Sequence, residues 1–126
     1  MNGLVFAADN ILGDVCGDAA AALVGGMGIP ATDQVNTTGE TGKHFYEPLH
    51  GSAPDIAGTG RANPTATMLT VGELWRGRNL MSLRQALHTG LRDVLSAGIR
   101  TPDMGGTATT QQYGDAVIKA FLQSAK

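Results

Sequence analysis

The stretch "EPLHGSAPDIAG", Glu47–Gly58, decides how the remaining chain is interpreted, because it combines rigid prolines with small and polar residues. Small side chains allow a backbone to approach a ligand closely, and long ordered loops often carry function. Neither G-x-G-x-x-G nor the Walker pattern occurs in the chain, so the usual phosphate-binding turns are absent. On composition alone, a turn-rich connector explains the stretch equally well.

A helix is predicted directly after this stretch, at Asn63-Pro64. Asparagine is a favourable capping residue, and proline at the first helical position loses no hydrogen bond. The apolar residues that follow recur at helical spacing: Met68, Leu69, Val71, Leu74 and Trp75. Further along, Ser82 is predicted to cap a helix that ends at Gly98, and Thr110 to cap the last helix.

The other segments are predicted to hold short strands, one helix and loops. Gly3–Ala8, "GLVFAA", is a continuous apolar run typical of a buried strand. A helix is expected over Asp14–Val24, ending at a glycine pair. Residues 25–62 are predicted as mostly loop with a strand at best over His44–Tyr46, and residues 99–110 as strand and loop. Strands that alternate with helices indicate an α/β fold, here in a single domain over residues 1–126.

The stretch "GDVCGD", Gly13–Asp18, places two carboxylates four residues apart. On a helix, Asp14 and Asp18 share one face, where hard oxygen ligands suit Mg²⁺ or Mn²⁺. Acids that favour the positive end of the helix dipole are the ordinary alternative. Two carboxylates are too few for a closed metal site, so a substrate or another chain would have to complete it. Cys16, between them, is predicted to be a small packing residue.

Composition excludes several classes of function. The 126 residues are 42% apolar and 16% charged, which is typical of a globular domain. A formal net charge of −2 gives no basic stripe for nucleic acid. No apolar stretch reaches the roughly 18 residues of a membrane span, and the N-terminus has no signal-peptide pattern. A single cysteine cannot form an internal disulfide, which favours the cytoplasm.

Three motifs together resemble the β-decarboxylating dehydrogenases, the family of isocitrate, 3-isopropylmalate, homoisocitrate and tartrate dehydrogenases. They are "DNILGDVCGDAAAALVGGMG", "YEPLHGSAPDIAGTGRANPTATM" and "RTPDMGGTATTQQYGDAVIKAF", in the family's order. The resemblance covers nearly the whole chain but only the C-terminal third of a family member. It implies an α/β fold, namely the C-terminal half of a large domain that the family builds from both chain ends.

The resemblance implies a role for each candidate site residue. Asp14 and Asp18 match the aspartates that ligate Mg²⁺ or Mn²⁺ with the substrate, although Gly17 replaces a common serine. Glu47 matches a glutamate near the nicotinamide, and Asn63 a residue near the adenine. The loop that binds the adenosine end of the dinucleotide is matched by the following residues: His50, Gly51, Ser52, Ala53, Pro54 and Asp55.

The implied cofactor is NAD in preference to NADP. NADP-dependent isocitrate enzymes of the family that carry lysine and tyrosine after "HG-x-AP" bind the 2′-phosphate there, whereas this chain has Asp55-Ile56. A carboxylate accepts hydrogen bonds from ribose hydroxyls and repels a phosphate.

The implied reaction is oxidative decarboxylation of a small 2-hydroxy acid with a carboxylate at C3. The family's substrate arginines, its catalytic tyrosine and lysine, and a further metal aspartate belong to segments that this chain does not match. A complementing N-terminal half or a homo-oligomer is therefore expected. Two alternatives stay open: a truncated relative recruited to a non-redox reaction of specialised metabolism, and a non-catalytic nucleotide-binding module. Whether a neighbouring reading frame encodes the N-terminal half would separate the complemented enzyme from these two alternatives.

Overall fold

The computed structural model describes residues 7–26, 28–35 and 44–125. These residues form four helices, two strands and two short 3-10 turns. In chain order the elements are α1 (Asn10–Val24), β1 (Ala31–Val35), β2 (His44–Pro48), the turn Pro54–Ile56, α2 (Thr65–Gly77), α3 (Met81–Ser96), the turn Pro102–Met104 and α4 (Thr110–Ser124). The strand predicted for Gly3–Ala8 lies almost entirely outside the described residues.

Helix α1 begins earlier than predicted and ends where the glycine pair requires. The Asp9 carboxylate accepts a hydrogen bond from the Leu12 amide at 2.9 Å, so the helix starts ahead of Asp14. At the other end Gly25 has a φ of 116°, a left-handed conformation that glycine adopts without steric cost. The predicted C-terminus of this helix is confirmed.

The two strands form an antiparallel pair in which Ala31 faces Pro48 and Val35 faces His44. The prediction that residues 25–62 are mostly loop was wrong for β1, and β2 extends beyond the predicted His44–Tyr46. The polar sequence of β1, "ATDQV", gives little strand signal by itself. Pairing with β2 and packing of both strands against α2 stabilise it instead.

The core lies where α2, α3 and α4 meet. Five of its side chains are buried: Leu87, Leu91, Val94, Tyr113 and Val117. Trp75 of α2 stacks on Phe121 of α4 with ring centroids 5.6 Å apart. Helices α3 and α4 approach closely at Gly90, where an added Cβ would lie 2.9 Å from the Phe121 amide nitrogen. The core therefore depends on a glycine as well as on apolar side chains.

The predicted helix starts were close but not all correct. Ser82 lies inside α3, which begins at Met81 without a side-chain cap. The cap of α4 is Thr109, one residue before the predicted Thr110, and it forms a capping box with Gln112. Residues 99–109 contain the turn Pro102–Met104 rather than a strand. Such one-residue errors are expected, because several neighbouring polar residues compete for the cap.

Helix α1 packs against none of the other helices or strands in the part of the chain that the structure describes. Its larger apolar side chains are consequently open to solvent, with Ile11 76% exposed and Leu23 89% exposed, whereas Ala21 is buried. No helix among the described residues is long and apolar enough to cross a membrane. The apolar surface of α1 is thus left uncovered by this part of the fold.

Candidate functional site

A cavity of about 680 Å³ lies between the loop that follows β2 and the turn that precedes α4. Its volume is within the range of small-molecule and cofactor sites. Most of the lining residues belong to one stretch of the chain, residues 50–53 and residues 56–63 except 59. Three single residues from other parts of the sequence complete the lining: Gly28, Asp103 and Thr110. Most of them are small, so much of the wall is backbone.

The loop that lines the cavity is held in one conformation by local hydrogen bonds. Ala53 has a φ of 43°, a left-handed backbone that costs an alanine roughly 1–2 kcal/mol and so requires support from its surroundings. The Ile56 amide donates to the Ala53 carbonyl at 3.1 Å, and the Thr59 hydroxyl donates to the Ile56 carbonyl at 2.7 Å. These bonds close two successive turns and keep the backbone along the cavity.

The His50 ring has a defined tautomer. Its Nδ1 lies 2.9 Å from the Gly51 carbonyl oxygen, which can only accept a hydrogen bond. Nδ1 therefore carries a hydrogen, and Nε2 is the ring atom left to meet a ligand in the cavity.

A hydrogen-bonded network joins the start of α2 to the turn Pro102–Met104 at the cavity wall. The Asn63 amide nitrogen donates to Asp103 Oδ2 at 2.9 Å, and the Asn63 amide oxygen accepts from the Thr65 backbone at 3.0 Å. The other Asp103 oxygen, Oδ1, accepts from the Thr101 hydroxyl at 2.6 Å. Gly28 lies against this network, because an added Cβ would lie 3.2 Å from Asp103 Oδ2.

The structure brings some of the predicted nucleotide-binding residues together and leaves others outside the cavity lining. His50, Gly51, Ser52, Ala53 and Asn63 all line the cavity.

Pro54, Asp55 and Glu47 are not among the lining residues. Pro54 and Asp55 form the adjacent 3-10 turn, and the Asp55 side chain is exposed. Glu47 is half-buried in β2 opposite Thr32. The roles predicted for these three residues therefore remain predictions.

The two candidate metal ligands lie on α1, away from the cavity lining. Asp14 and Asp18 are both exposed and are separated by one helical turn. Their carboxylates are the donor type that Mg²⁺ and Mn²⁺ prefer. No group of three or more histidine, cysteine or acidic side chains that could hold a metal occurs among the described residues. The donor type fits a divalent cation, and the remaining ligands would have to come from elsewhere.

Several residues that line the cavity had no predicted role in binding, among them Gly28, Asp103 and Thr110. Asp103 stands in "RTPDMGG", one of the motifs that carried the resemblance, so a signal was present without an assigned role. Thr110 is hydrogen-bonded to the loop that lines the cavity. Its amide donates to the Gly60 carbonyl at 2.8 Å, and its hydroxyl donates to the Ala62 carbonyl at 2.5 Å. These contacts join residues about fifty positions apart, which local sequence patterns do not report.

A second polar cluster links α2 to α3 outside the cavity. Glu73 accepts hydrogen bonds from Arg84 at 3.0 Å and from Arg76 of its own helix. Burial raises the pKa of Glu73, but the two arginines outweigh burial and lower the pKa below its ordinary value. Burial and the nearby Arg84 charge also lower the pKa of His88, whose Nε2 is buried without a hydrogen-bond partner. This cluster has the character of a structural ion pair.

Comparison with protein families and curated proteins gives a consistent result. The family model for isocitrate/isopropylmalate dehydrogenase matches residues 1–117. Over 96% of its length the chain is 40% identical to 3-isopropylmalate dehydrogenase B of Aspergillus niger, of which it covers 34%. It is 44% identical to the 3-isopropylmalate dehydrogenase of Caulobacter vibrioides, covering 33% of that protein. The chain therefore spans about a third of the length of these relatives.

Comparison with solved structures agrees. The chain is similar to isocitrate dehydrogenase from Methylococcus capsulatus, with a TM-score of 0.82 and 31% identity over 89% of this chain and 33% of that one. It is also similar to a β-decarboxylating dehydrogenase from Thermococcus kodakarensis, with a TM-score of 0.78 and 33% identity over 90% of this chain and 32% of the other. The predicted fold class, a part of an isocitrate dehydrogenase-like α/β fold, is confirmed.

Proposed function

Because the chain belongs to the isocitrate/isopropylmalate dehydrogenase family, we propose that it forms the adenosine-binding part of an enzyme that oxidises and decarboxylates a small 2-hydroxy acid. The observation that carries the proposal is the cavity at residues 50–63. Most of its lining residues are small, so a flat base and a ribose can approach the backbone, and a few polar side chains are available to bind them. The proposed cofactor is NAD, for which the volume and the polar groups of the cavity are suitable.

Different residues of the loop are proposed to bind different parts of the dinucleotide. We propose that His50 Nε2 accepts a hydrogen bond from a ribose hydroxyl and that the backbone amides of Gly51 and Ser52 donate to the ribose and phosphate oxygens. Asp55, next to the cavity, is proposed to accept hydrogen bonds from the ribose hydroxyls. Asn63 is proposed to bind the base. Together these groups hold the adenosine end, while the nicotinamide end and the substrate extend beyond them.

The proposed metal ligands from this chain are Asp14 and Asp18, whose carboxylates suit Mg²⁺ or Mn²⁺. A divalent cation supplies Lewis-acid stabilisation of the negative charge that develops on the substrate oxygen during decarboxylation. The two side chains would orient the hydroxyl and carboxylate of the substrate by fixing the cation between them. The remaining ligands, the substrate-binding arginines and the proton-transfer residues are proposed to come from a complementing N-terminal segment or from a second copy.

The proposal is tested by calorimetric titration of the purified chain with NAD, ADP-ribose and nicotinamide mononucleotide. We expect NAD and ADP-ribose to bind with similar affinity and nicotinamide mononucleotide to give no heat, because only the adenosine end has a site here. The variant Ala57→Trp fills the cavity from its exposed edge and should abolish binding.

The matched control is Ala97→Trp, at the exposed end of α3 and outside the cavity lining. This variant should bind NAD as the native chain does. Equal binding of nicotinamide mononucleotide and ADP-ribose, or an unchanged affinity in Ala57→Trp, would overturn the adenosine-site assignment.

A further inference from the structure

Asp103 contributes the only carboxylate in the cavity lining among the described residues. The proposed function gives this side chain no role. It is exposed toward the cavity, whereas its neighbour Thr101 is completely buried. A negative charge placed in a nucleotide site would ordinarily weaken phosphate binding, so its position opposite the base-binding Asn63 calls for a physical reason.

The hydrogen bonds of Asn63 and Asp103 determine which of their polar atoms remain available to a ligand. The Asn63 oxygen accepts from the Thr65 backbone, and the Asn63 nitrogen donates to Asp103 Oδ2. A flipped amide would set a donor against the Thr65 N–H and an oxygen against a carboxylate, so the network fixes the orientation. One N–H of the Asn63 amide and the remaining lone pairs of Asp103 Oδ2 are left for a ligand. The pair therefore presents a hydrogen-bond donor beside a hydrogen-bond acceptor.

The carboxylate is held in place before any ligand arrives. Asp103 Oδ1 accepts from the Thr101 hydroxyl at 2.6 Å, and the Gly106 amide closes the turn onto the Thr101 carbonyl at 3.0 Å. An added Cβ at Gly106 would collide with the Arg100 carbonyl, so the chain passes here only with glycine. A preorganised acceptor discriminates between ligands better than a mobile one, because it does not turn away from a mismatched group.

We propose that Asp103 determines the base specificity of the cavity by selecting a purine with a 6-amino group over one with a 6-oxo group. This inference rests on the proposed nucleotide site. Adenine presents an amino donor beside a ring-nitrogen acceptor, the complement of the Asn63–Asp103 pair. Hypoxanthine presents an oxygen at the same position, and that oxygen would face a carboxylate. Sites built to hydrogen-bond a particular group reject an analogue that leaves their polar atoms unpaired.

The experiment compares NAD with nicotinamide hypoxanthine dinucleotide, which differs only at the 6-position of the base, by calorimetric titration of the purified chain. We expect the native chain to prefer NAD by about tenfold or more. In Asp103→Asn the side-chain amide can donate to a 6-oxo group, so the preference should fall toward unity. The control Asp115→Asn, on the exposed face of α4 outside the cavity lining, should keep the native preference.

The outcomes separate this inference from the function on which it rests. Equal affinity of the native chain for the two dinucleotides overturns the role of Asp103 and leaves the adenosine site standing. A native preference that Asp103→Asn retains in full also overturns it. If neither dinucleotide binds the native chain, the proposed cofactor site fails, and the base selection fails with it. Should Asp103→Asn not fold, Asp103→Ser, which also removes the carboxylate, replaces it, and full retention of the native preference in that variant overturns the inference.

Discussion

At the scale of single residues, Asp55 carries the choice between the two dinucleotide cofactors. Its side chain is exposed in the turn Pro54–Ile56, beside the cavity. The 2′-phosphate of NADP would bring nearly two negative charges close to this carboxylate. Repulsion between the phosphate and the Asp55 carboxylate is expected to weaken the binding of NADP by a factor of about ten.

We therefore predict that the chain binds NAD at least about tenfold more tightly than NADP. Asp55→Lys should erode this preference, since an ammonium attracts the phosphate. Calorimetric titration of both proteins with both cofactors is the measurement, and Asp115→Lys on α4 serves as the control for added positive charge. Equal affinity of the native chain for NAD and NADP would show that Asp55 is only a structural residue of the turn.

A second prediction at this scale concerns the acids of α1. Asp14 and Asp18 should bind Mn²⁺ weakly, because two carboxylates leave most of the coordination shell to water. Calorimetry on the native chain and on the double variant Asp14→Asn/Asp18→Asn tests this. We expect a small heat of binding that the double variant loses. Identical heats from the two proteins would show that Asp14 and Asp18 are only exposed acids in the body of α1, which begins at Asn10.

Single residues also show how far the sequence could predict the site. His50–Ala53 and Asn63 were assigned from one continuous motif, and the structure places all of them in the cavity lining. Asp103 lies 40 positions from Asn63, and its partnership with Asn63 arises only when the turn before α4 packs beside the start of α2. A sequence motif gives only the order of residue types along the chain. It does not predict a hydrogen bond between distant segments, because that bond depends on how whole elements pack.

At the scale of elements, α3 and α4 cross closely in the core at Gly90. An added Cβ would lie 2.9 Å from the Phe121 nitrogen and 3.3 Å from the Ala120 carbonyl carbon, both backbone atoms that cannot rotate away. The two helices would have to separate to admit a methyl group. The buried side chains of the core, including Leu91 and Val117, would lose contacts in that separation.

We predict that Gly90→Ala lowers the free energy of unfolding by about 1 kcal/mol or more. Overpacking costs about 1–3 kcal/mol, and the better helix propensity of alanine offsets at most about 1 kcal/mol of this. The matched control is Gly114→Ala in α4, whose Cβ would meet only the flexible end of Met68 at 3.8 Å. Urea denaturation measures both. Gly114→Ala should be neutral or stabilising, and a Gly90→Ala that behaves the same way would contradict the close crossing.

The elements also mark where sequence reasoning succeeds and where it does not. Helices α2, α3 and α4 were predicted, with starts within two residues of the observed ones, because their apolar residues recur along one face over three or more turns. Strand β1 was missed, since "ATDQV" has no long apolar pattern and its pairing with β2 is formed across a long connection. A helix with a periodic apolar face can be predicted from its own sequence, whereas a short polar strand depends on pairing with another strand.

At the scale of the whole molecule, the described residues leave several apolar side chains uncovered. Besides those of α1, Phe45 is 58% exposed and Leu122 is 58% exposed. A groove lined by residues of α2, α3 and α4, among them Trp75 and Ile118, contains no polar surface. Apolar surfaces of this kind usually find a partner.

We predict that the purified chain self-associates at low micromolar concentration. Burial of the exposed faces should stabilise a dimer or larger assembly, with a gain of roughly 25 cal/mol for each square ångström of apolar surface removed from water. Analytical ultracentrifugation over a concentration series is the measurement. Sedimentation as a well-folded monomer throughout the series would count against the idea.

We also predict that the 126 residues alone do not oxidise isocitrate or 3-isopropylmalate at an enzymatic rate. The chain spans about a third of its relatives, and acid–base groups and substrate positioning together supply large factors in rate. Incubation with NAD, Mn²⁺ and either substrate, followed by NADH absorbance, tests this. Turnover on the order of 10 s⁻¹, the typical value for enzymes, would contradict it.

The two hydrogen bonds that Thr110 donates to Gly60 and Ala62 connect the start of α4 to the cavity. Helix ends normally fray first, yet the first turn of α4 is anchored to the loop that lines the cavity at this end and to the capping box at Thr109. Displacement of Gly60 and Ala62 would break both hydrogen bonds to the first turn of α4. We therefore expect the cavity and the start of α4 to open together, so that a ligand bound in the cavity slows hydrogen exchange at the start of α4.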